Sequence, residues 1–349
     1  MAALDSPRAT IAVLAEASPT IGTGHVVEAV SIARAARRRN AEAELWVNHS
    51  TPTALLARAP CPVHVAEDFS CASLARIART VRDHGCQRVL TSFRRVMDEQ
   101  VAALRRGGMR VGCLDELGDL RLDCDLVINP ALVPQHQRYV SGRANLRMCC
   151  GPAFMPLAEE YAALHRRARS FEGHIRRVVM AMGGVDRTGA TLRLIEALTR
   201  WPRDATKHVV LGAGFAHRRA LDEMLDRVGA GAFVLHERPA SLGELLASCD
   251  VAFTAGGDTL YELACVGTPA LVLFEDAHEH RQGQEFEARG FGRCVGAGSA
   301  ATAEQILGAL DELDDPQRRA AHSEAGRALV DGRGAARVID ALLDLAGEA

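Results

Sequence analysis

The sequence predicts an α/β protein made of two Rossmann-like, doubly wound halves that face a common cleft. Short apolar segments of strand length alternate with amphipathic helical segments along nearly the whole chain. Glycine-rich turns follow several of the predicted strands, and in a parallel sheet such turns lie at the carboxyl edge, where ligands bind. The length of 349 residues is more typical of two domains than of one.

Composition indicates an ordinary globular protein. Apolar residues make up 48% of the chain and charged residues 24%. A formal net charge of −3 gives no reason to expect a nucleic acid or an anionic membrane as partner. No apolar run reaches the roughly 18 residues that a transmembrane segment needs, and the N-terminus lacks a signal-peptide pattern. We expect a cytoplasmic monomer or dimer that acts on a small molecule.

The cysteines and histidines do not suggest a metal centre. The ten cysteines are scattered, without a CxxC pair, and several lie among apolar residues, where a thiol behaves as a small hydrophobe. The nearest approach to a metal-ligand cluster is His278–Glu279–His280, whose spacing is not that of a metal motif. We therefore expect reduced thiols, no metal and no cofactor.

The first half of the chain, residues 1–157, is predicted to be one continuous α/β series. It begins with a strand over Thr10–Ala15, a glycine loop and an amphipathic helix that ends near Arg38. The strands predicted after this helix are Ala43–Val47, Val63–Val65, Arg88–Thr91, Met109–Cys113 and Leu126–Ile128. The helices predicted between them are Pro52–Ala59, Ser73–His84 and Met97–Arg106.

The loop after the first strand carries Gly22, Gly24 and His25. It has neither the third glycine of a dinucleotide fingerprint nor the lysine of a P-loop. His25 falls in the first turn of the following helix, where the helix dipole disfavours the charged imidazolium. A neutral imidazole on a ligand-facing loop is a candidate general base. The alternative is a histidine that only caps its own helix.

Two acidic residues, Asp115 and Glu116, follow the predicted strand Met109–Cys113. Since carboxyl ends of parallel strands meet at one edge, both should lie near His25. They are either contacts for sugar hydroxyls or part of a solvated loop.

A segment with two prolines and a glycine, Gly151–Leu157, interrupts the series, and we place the domain boundary after residue 157. Residues 158–349 begin with a helix over Glu159–Arg169 and then form a second series, whose last helix is a candidate for packing back on the first domain. Its predicted strands are Val178–Met182, His208–Leu211, Ala232–Leu235, Val251–Phe253 and Ala270–Phe274. Its predicted helices are Ala190–Arg200, Arg218–Val228, Ser241–Ala247, one ending near Val266, one over Gln282–Arg289 after a polar loop, and further helices up to Leu345.

Four turns of the second half follow predicted strands and therefore line one edge. They are Gly183–Gly184, Gly212–Ala213–Gly214, His236–Glu237–Arg238–Pro239 and Gly256–Gly257.

The last of these turns precedes a helix that Asp258 and Thr259 can cap, and a helix N-terminus with open amides binds anions. Glu262, one turn further along, is placed to reach a ribose diol. The alternative is an ordinary strand–Gly-Gly–helix turn without a ligand.

These motifs, in this order, resemble the two-domain glycosyltransferase-B (GT-B) fold, in the branch of the MurG-type transferases. More closely they resemble the PseG-like UDP-sugar hydrolases of pseudaminic acid biosynthesis. The matching segments span most of the chain and are Ile21–His25, Leu114–Asp119, Asp125–Pro130, Gly151–Leu157, Gly183–Asp186, Ser248–Asp250, Gly256–Glu262 and Gly267–Pro269.

The resemblance implies a nucleotide site in the second half. Glu262 would bind the ribose, the turn Gly256–Gly257 with Asp258 and Thr259 the diphosphate, and the backbone near Arg238 the uracil. Gly183, Gly184 and Gly212 would line the same nucleotide site.

The resemblance also implies a sugar site toward the first half, beside Gly24 and His25. Asp115, Glu116, His278 and Glu279 are the further expected sugar contacts. His25 would activate the nucleophile, and amides at the helix N-terminus would stabilise the departing UDP without a metal.

Three positions depart from the family pattern. Glu28 stands where the family commonly has Arg, Thr91–Ser92–Phe93 replaces Asp-Ser-Tyr, and Ala277–Gln282 replaces a loop with Asn-Gln. Since these positions would meet the sugar, the resemblance leaves the sugar unidentified.

The expected function is hydrolysis of a UDP-linked amino-deoxy sugar at its anomeric carbon, which releases UDP and the free sugar. One alternative is a GT-B glycosyltransferase with a small-molecule or lipid acceptor. Another is a nucleotide-binding regulator, which would not need His25.

Overall fold

The computed structural model describes residues 9–18, 22–118, 121–229, 231–237, 239 and 241–345. The chain divides into two units. The first contains the described residues up to Glu159 and those from Arg333 onward, and the second is Glu160–Gly332. This division lies two residues after the boundary placed from the sequence.

The first unit is a seven-stranded parallel sheet with helices on both faces. Its strands are β1 (Thr10–Ala15), β2 (Glu42–Asn48), β3 (Val63–Ala66), β4 (Arg88–Ser92), β5 (Arg110–Leu114), β6 (Leu126–Asn129) and β7 (Arg147–Cys150). Its helices are α1 (Gly24–Arg38), α2 (Thr53–Leu56), α3 (Cys71–Asp83), α4 (Asp98–Arg106) and, from the end of the chain, α13 (Gly334–Leu343). Short 3₁₀ turns cover Pro134–Gln137 and Pro152–Phe154.

The strand order of this sheet is β3-β2-β1-β4-β5-β6-β7. One apolar cluster lies between the sheet and α1 with α13, and a second lies between the sheet and α3 with α4. Helix α13 buries Val338, Ile339 and Leu342, and its Asp340 pairs with Arg39 at 2.6 Å. The last helix therefore belongs to the first unit.

The second unit repeats the design with six parallel strands in the order β10-β9-β8-β11-β12-β13. These strands are β8 (Arg177–Ala181), β9 (Thr206–Leu211), β10 (Val234–Glu237), β11 (Val251–Thr254), β12 (Ala270–Phe274) and β13 (Arg293–Ala297). Its helices are α5 (Glu159–His165), which begins at the last residue of the first unit, α6 (Ala190–Thr199), α7 (Arg218–Val228), α8 (Leu242–Ala247), α9 (Asp258–Val266), α10 (Ala277–Ala288), α11 (Ala303–Leu313) and α12 (Pro316–Leu329). The predicted fold class, two Rossmann-like α/β domains, is confirmed.

Three elements differ most from the sequence prediction. The edge strands β7 and β13 were not predicted, because β7 begins with the exposed Arg147 and Met148 and β13 contains Gly296. Helix α10 begins at Ala277 rather than Gln282, because the carboxylate of Asp276 caps it by accepting the N–H groups of His278 and Glu279 at 2.9 and 3.0 Å. The segment predicted as a polar loop is therefore helical.

Two findings bear on the expected environment. All ten cysteines are free thiols. Among the described residues, no helix combines the length and apolar character needed to cross a membrane.

Each sheet has one point where its connections diverge in opposite directions. In the first sheet this point lies between β1 and β4, and in the second it lies between β8 and β11. Ligands of doubly wound proteins bind in the crevice at the carboxyl ends of such strands. The loops that follow these four strands are therefore the places to look for a site.

Candidate functional site

The first candidate site lies at the carboxyl ends of β1 and β4. The two strands pair so that Ala15, the last residue of β1, stands beside Ser92, the last residue of β4. The chain then continues from β1 to α1, whose second residue is His25. As a result, the Ser92 hydroxyl oxygen lies 3.2 Å from Nδ1 of His25. The predicted position of His25 in the first helical turn is confirmed.

Glu28 completes a hydrogen-bonded chain with these two residues. The Ser92 hydroxyl donates to Oε2 of Glu28 at 3.0 Å. Since Ser92 gives its single hydroxyl proton to Glu28, it is placed to accept from Nδ1–H of His25. The tautomer of His25 that fits this chain carries its lone pair on Nε2. A neutral imidazole of this kind can remove a proton from a nucleophile.

The environment of Glu28 adds an electrostatic contribution. Glu28 is 3% exposed and Ser92 is fully buried, so water screens their interaction with His25 poorly. Oε2 of Glu28 lies 3.5 Å from Nδ1 of His25, where a negative charge stabilises the imidazolium that forms when Nε2 takes up a proton. Its other oxygen, Oε1, accepts no hydrogen bond from the described residues.

The sequence pointed to Glu28 as a departure from the family pattern and to Ser92 as part of the departing segment Thr91–Ser92–Phe93, but it gave neither residue a role. The spacing of Glu28 from His25, three residues along one helix face, is the signal that could have linked them. Ser92 could be found only from the pairing of β1 with β4.

The remaining predicted residues of the first unit take different positions. Gly24 begins α1, directly before His25. Asp115 is 4% exposed, and its Oδ2 accepts hydrogen bonds from Gly118 N–H at 2.9 Å and from the Tyr139 hydroxyl at 2.6 Å. Asp115 therefore holds the turn after β5, and the solvated-loop alternative is wrong for this residue. Glu116 is partly exposed in the same turn.

The second candidate site lies at the carboxyl ends of β8 and β11, where the turns Gly183–Gly184 and Gly256–Gly257 leave the sheet. Two helices, α6 and α9, begin there. Asp186 accepts the N–H groups of Ala190 and Thr191 at 2.8 and 3.0 Å and so closes the N-terminus of α6.

Helix α9 begins after Gly257, so a residue without a side chain holds its N-cap position. Asp258 and Thr259, which we expected to cap this helix, are its first two residues instead. Because the Asp186 carboxylate already accepts two amides of α6, the positive end of the α9 dipole is the better candidate for an anion.

The glycines at this point differ in what the backbone requires of them. Gly183 and Gly256 have φ values of +80° and +110°, which favour glycine. Gly184 has open space where a side chain would begin. Gly212 differs, since a Cβ there would overlap the carbonyl oxygens of Gly183 and Gly184. Gly212 thus packs directly against the backbone of the Gly183–Gly184 turn. Its expected contact with a nucleotide remains a prediction.

Glu262 lies one turn into α9 in a desolvated position. Burial, reinforced by the charges of Asp258 and Glu160, raises the pKa of Glu262 to about 8, while Tyr161 and Thr259 act in the opposite direction. The environment therefore favours the neutral form of this carboxyl group more than water does. A protonated carboxyl can both donate and accept, as an interaction with a vicinal diol requires.

Glu279 lies against the Gly256–Gly257 turn. A Cβ at Gly256 would come within 3.1 Å of the Glu279 carbonyl oxygen, and one at Gly257 would lie 3.7 Å from its carboxylate. Its Oε2 accepts the N–H of Glu275 at 2.7 Å, and burial raises the pKa of Glu279 to about 7. Glu279 thus borders the turn expected to hold the diphosphate, whereas we had predicted a sugar contact.

Three further residues complete the comparison with the prediction. His278 lies beside Glu279 in the first turn of α10. Arg238 lies outside the described residues. Arg187, which the sequence analysis did not select, places Nη2 3.0 Å from the Glu275 carboxylate, and it directly follows Asp186, whose φ is +50°. The position of Arg187, a cationic residue shortly after the Gly183–Gly184 turn, is the sequence signal that could have identified it.

Comparison with known proteins supports the fold and a distant sequence relationship. No family model matches the chain. The chain is 28% identical over 226 residues to the spore coat polysaccharide biosynthesis protein SpsG of Bacillus subtilis. This match covers 63% of the chain and 65% of the Bacillus protein, slightly less than two thirds of its length.

Two solved structures share the fold at low sequence identity. MurG of Acinetobacter baumannii is 13% identical, with a TM-score of 0.68, over 97% of this chain and all of that one. Anabaena HepE, in complex with UDP and glucose, is 16% identical, with a TM-score of 0.60, over 97% of this chain and all of that one. The likeness to MurG confirms the predicted GT-B type of fold.

Proposed function

We propose that this protein hydrolyses a UDP-linked amino-deoxy sugar at its anomeric carbon, with His25 as the general base. The proposal depends above all on the series of hydrogen-bonding contacts from Glu28 through Ser92 to His25 Nδ1, with distances of 3.0 and 3.2 Å. A buried carboxylate and hydroxyl that fix one tautomer of a histidine are characteristic of catalysis rather than of helix capping.

The nucleotide is assigned to the second unit. The N-terminus of α9, which follows Gly257, and the glycine turns at β8 and β11 offer amides for a diphosphate. Glu262, with its raised pKa, is the proposed ribose contact, and Glu279 borders the diphosphate. The name of the Bacillus relative refers to polysaccharide biosynthesis, and HepE was solved with UDP and glucose, which supports a nucleotide sugar as substrate.

The proposed reaction balances without a further reactant. His25 Nε2 takes a proton from water, the water oxygen forms a bond to the anomeric carbon, and the bond between that carbon and the β-phosphate oxygen breaks. The electron pair leaves with UDP, whose growing charge the amides of α9 stabilise. Glu28 stabilises the imidazolium formed in the same step.

Isotope labelling tests the position of bond cleavage. In ¹⁸O-enriched water without an acceptor, attack at the anomeric carbon leaves the released UDP unlabelled. Label in the released UDP would instead show attack at phosphorus and overturn the proposal.

A second candidate is transfer of the sugar to an acceptor hydroxyl. The observation that favours it is the shared fold with MurG, together with the fact that His25 could activate an alcohol as readily as water. A transferase would bind UDP yet release little of it in the absence of an acceptor.

A further inference from the structure

A second polar cluster lies toward the amino edge of the first sheet, away from the carboxyl ends of its strands. Glu44 is the third residue of β2, His64 is the second residue of β3, and His84 directly follows α3. Oε2 of Glu44 lies 2.7 Å from Nδ1 of His84 and 3.6 Å from Nε2 of His64. One ligand atom from each of the three residues lies within 4.8 Å of the other two.

Neighbouring residues fix the orientation of this cluster. Glu44 and Trp46 are two residues apart on β2 and so point to the same face of the sheet. The indole N–H of Trp46 donates to Oε1 of Glu44 at 3.0 Å, which leaves Oε2 to face the histidines. Trp46 also pairs in register with His64, and the two rings stack with centroids 4.5 Å apart. Outer contacts of this kind orient metal ligands in proteins.

Burial and access both suit a bound cation. Glu44 is 6% exposed, and a buried carboxylate needs a cation or hydrogen-bond donors. The side chains of His64 and His84 are 33% and 43% exposed, so an ion can reach them from solvent. A cavity of about 460 Å³ is lined by all three residues and by Cys61.

We propose that Glu44, His64 and His84 bind a divalent transition-metal ion of the zinc type. Two imidazole nitrogens and one carboxylate oxygen form a set that such ions prefer, with the fourth position open to the cavity. In a tetrahedral zinc site, neighbouring ligand atoms stand about 3.3 Å apart. Two of the observed separations, 2.7 and 3.6 Å, bracket that value, and the third is no more than 4.8 Å.

The expectation of no metal rested on sequence spacing alone. The three ligands come from separate elements and become neighbours only because β2 pairs with β3 and α3 ends beside them. The site does not depend on the proposed reaction, since it lies away from His25, at the opposite edge of the sheet.

Zinc titration of the full chain, by calorimetry and by competition with a chromogenic chelator, tests the proposal. We expect saturable binding of one ion at this site, and a rise in the thermal unfolding temperature, because only the folded chain holds the three ligands together. His64→Gln and His84→Gln should each weaken binding at least about 10-fold, since loss of outer contacts alone costs about 10- to 100-fold.

Two variants serve as controls. His174→Gln removes a histidine with the same 2.7 Å contact to a carboxylate, that of Asp314, and zinc affinity should not change. Cys61→Ser should also keep wild-type affinity, because Cys61 lines the cavity but is outside the ligand set.

Three results would overturn the proposal. They are the absence of saturable binding by the wild type, unchanged affinity in both histidine variants, and a loss of affinity in Cys61→Ser as large as in those variants. Because His64 and His84 are partly exposed, their variants are expected to fold, and circular dichroism checks this directly. Parallel titration with UDP separates a failure of this site from a failure of the proposed function.

Discussion

Replacement of Glu28 by glutamine should slow catalysis while leaving nucleotide binding intact. The change keeps the size of the side chain but removes the negative charge 3.5 Å from Nδ1 of His25. At an effective dielectric constant of about 20, a full imidazolium charge at this distance interacts with Glu28 by about 5 kcal/mol. If roughly half of that charge has developed in the transition state, the loss is about 2 kcal/mol, or about 30-fold in kcat.

Ser92→Ala should have a smaller effect than Glu28→Gln. It removes the hydroxyl between the other two groups but leaves Glu28 in place to face Nδ1. The lost hydrogen bond corresponds to about 1 kcal/mol, or about a 5-fold decrease in kcat. Ser31→Ala is the matched control, since Ser31 is also buried and its hydroxyl donates only to the Val27 carbonyl of the same helix, at 2.9 Å.

Steady-state kinetics of UDP release, with UDP affinity measured by calorimetry, distinguishes catalysis from structure. We expect the larger decrease in kcat in Glu28→Gln and the smaller decrease in Ser92→Ala. KM and UDP affinity should stay near those of the wild type in both variants. A wild-type kcat in Glu28→Gln would refute a catalytic role for the hydrogen-bonded chain of Glu28, Ser92 and His25. An increase in KM with unchanged kcat would refute it as well, because Glu28 would then act on substrate binding.

Further predictions concern the second unit. Gly184→Ala and Gly257→Ala should weaken UDP binding about 10-fold without loss of stability. A methyl group fits the unliganded chain at both positions but would occupy the proposed diphosphate site. Gly308→Ala, on an open surface, is the control. Calorimetry measures the affinity, and equal affinity in all three variants would contradict the assignment. Gly212→Ala should lower the free energy of unfolding by about 1–3 kcal/mol, because its Cβ overlaps two carbonyl oxygens, and an unchanged urea midpoint would disprove this. Because the pKa of Glu262 is raised to about 8 in the folded chain, the folded state binds the extra proton, and stability should fall from about pH 5 to pH 8 and then level off. Thermal unfolding of Glu262→Gln should show a weaker decrease over this range than the wild type.

The sequence was sufficient to predict most of the fold because its strands are short, apolar and separated by turn residues. Strands such as Thr10–Ala15 and Ala270–Phe274 were predicted with the bounds observed. The prediction failed where local pattern and tertiary context disagree. Strand β7 has two exposed residues and forms only because β6 pairs with it, and α10 begins early because Asp276 caps it.

The candidate site was only partly predictable. His25 follows a strand and a glycine loop, a local pattern, whereas Ser92 is 67 positions away and becomes its partner only through the pairing of β1 with β4. The same holds for Glu44, His64 and His84, which no sequence spacing connects. Likewise, the sequence offered Asp258 as a cap for α9, but the structure places Gly257 at the N-cap position and Asp258 as the first residue of the helix.

The measurement that tests the central claim most directly is UDP release from a panel of UDP-amino sugars in the absence of any acceptor. Wild type and His25→Ala are compared at saturating substrate, and UDP affinity is measured for both. We predict rapid release of UDP by the wild type and loss of this release in His25→Ala, with UDP affinity retained. Tight UDP binding by the wild type without release would contradict the hydrolase and favour the transferase.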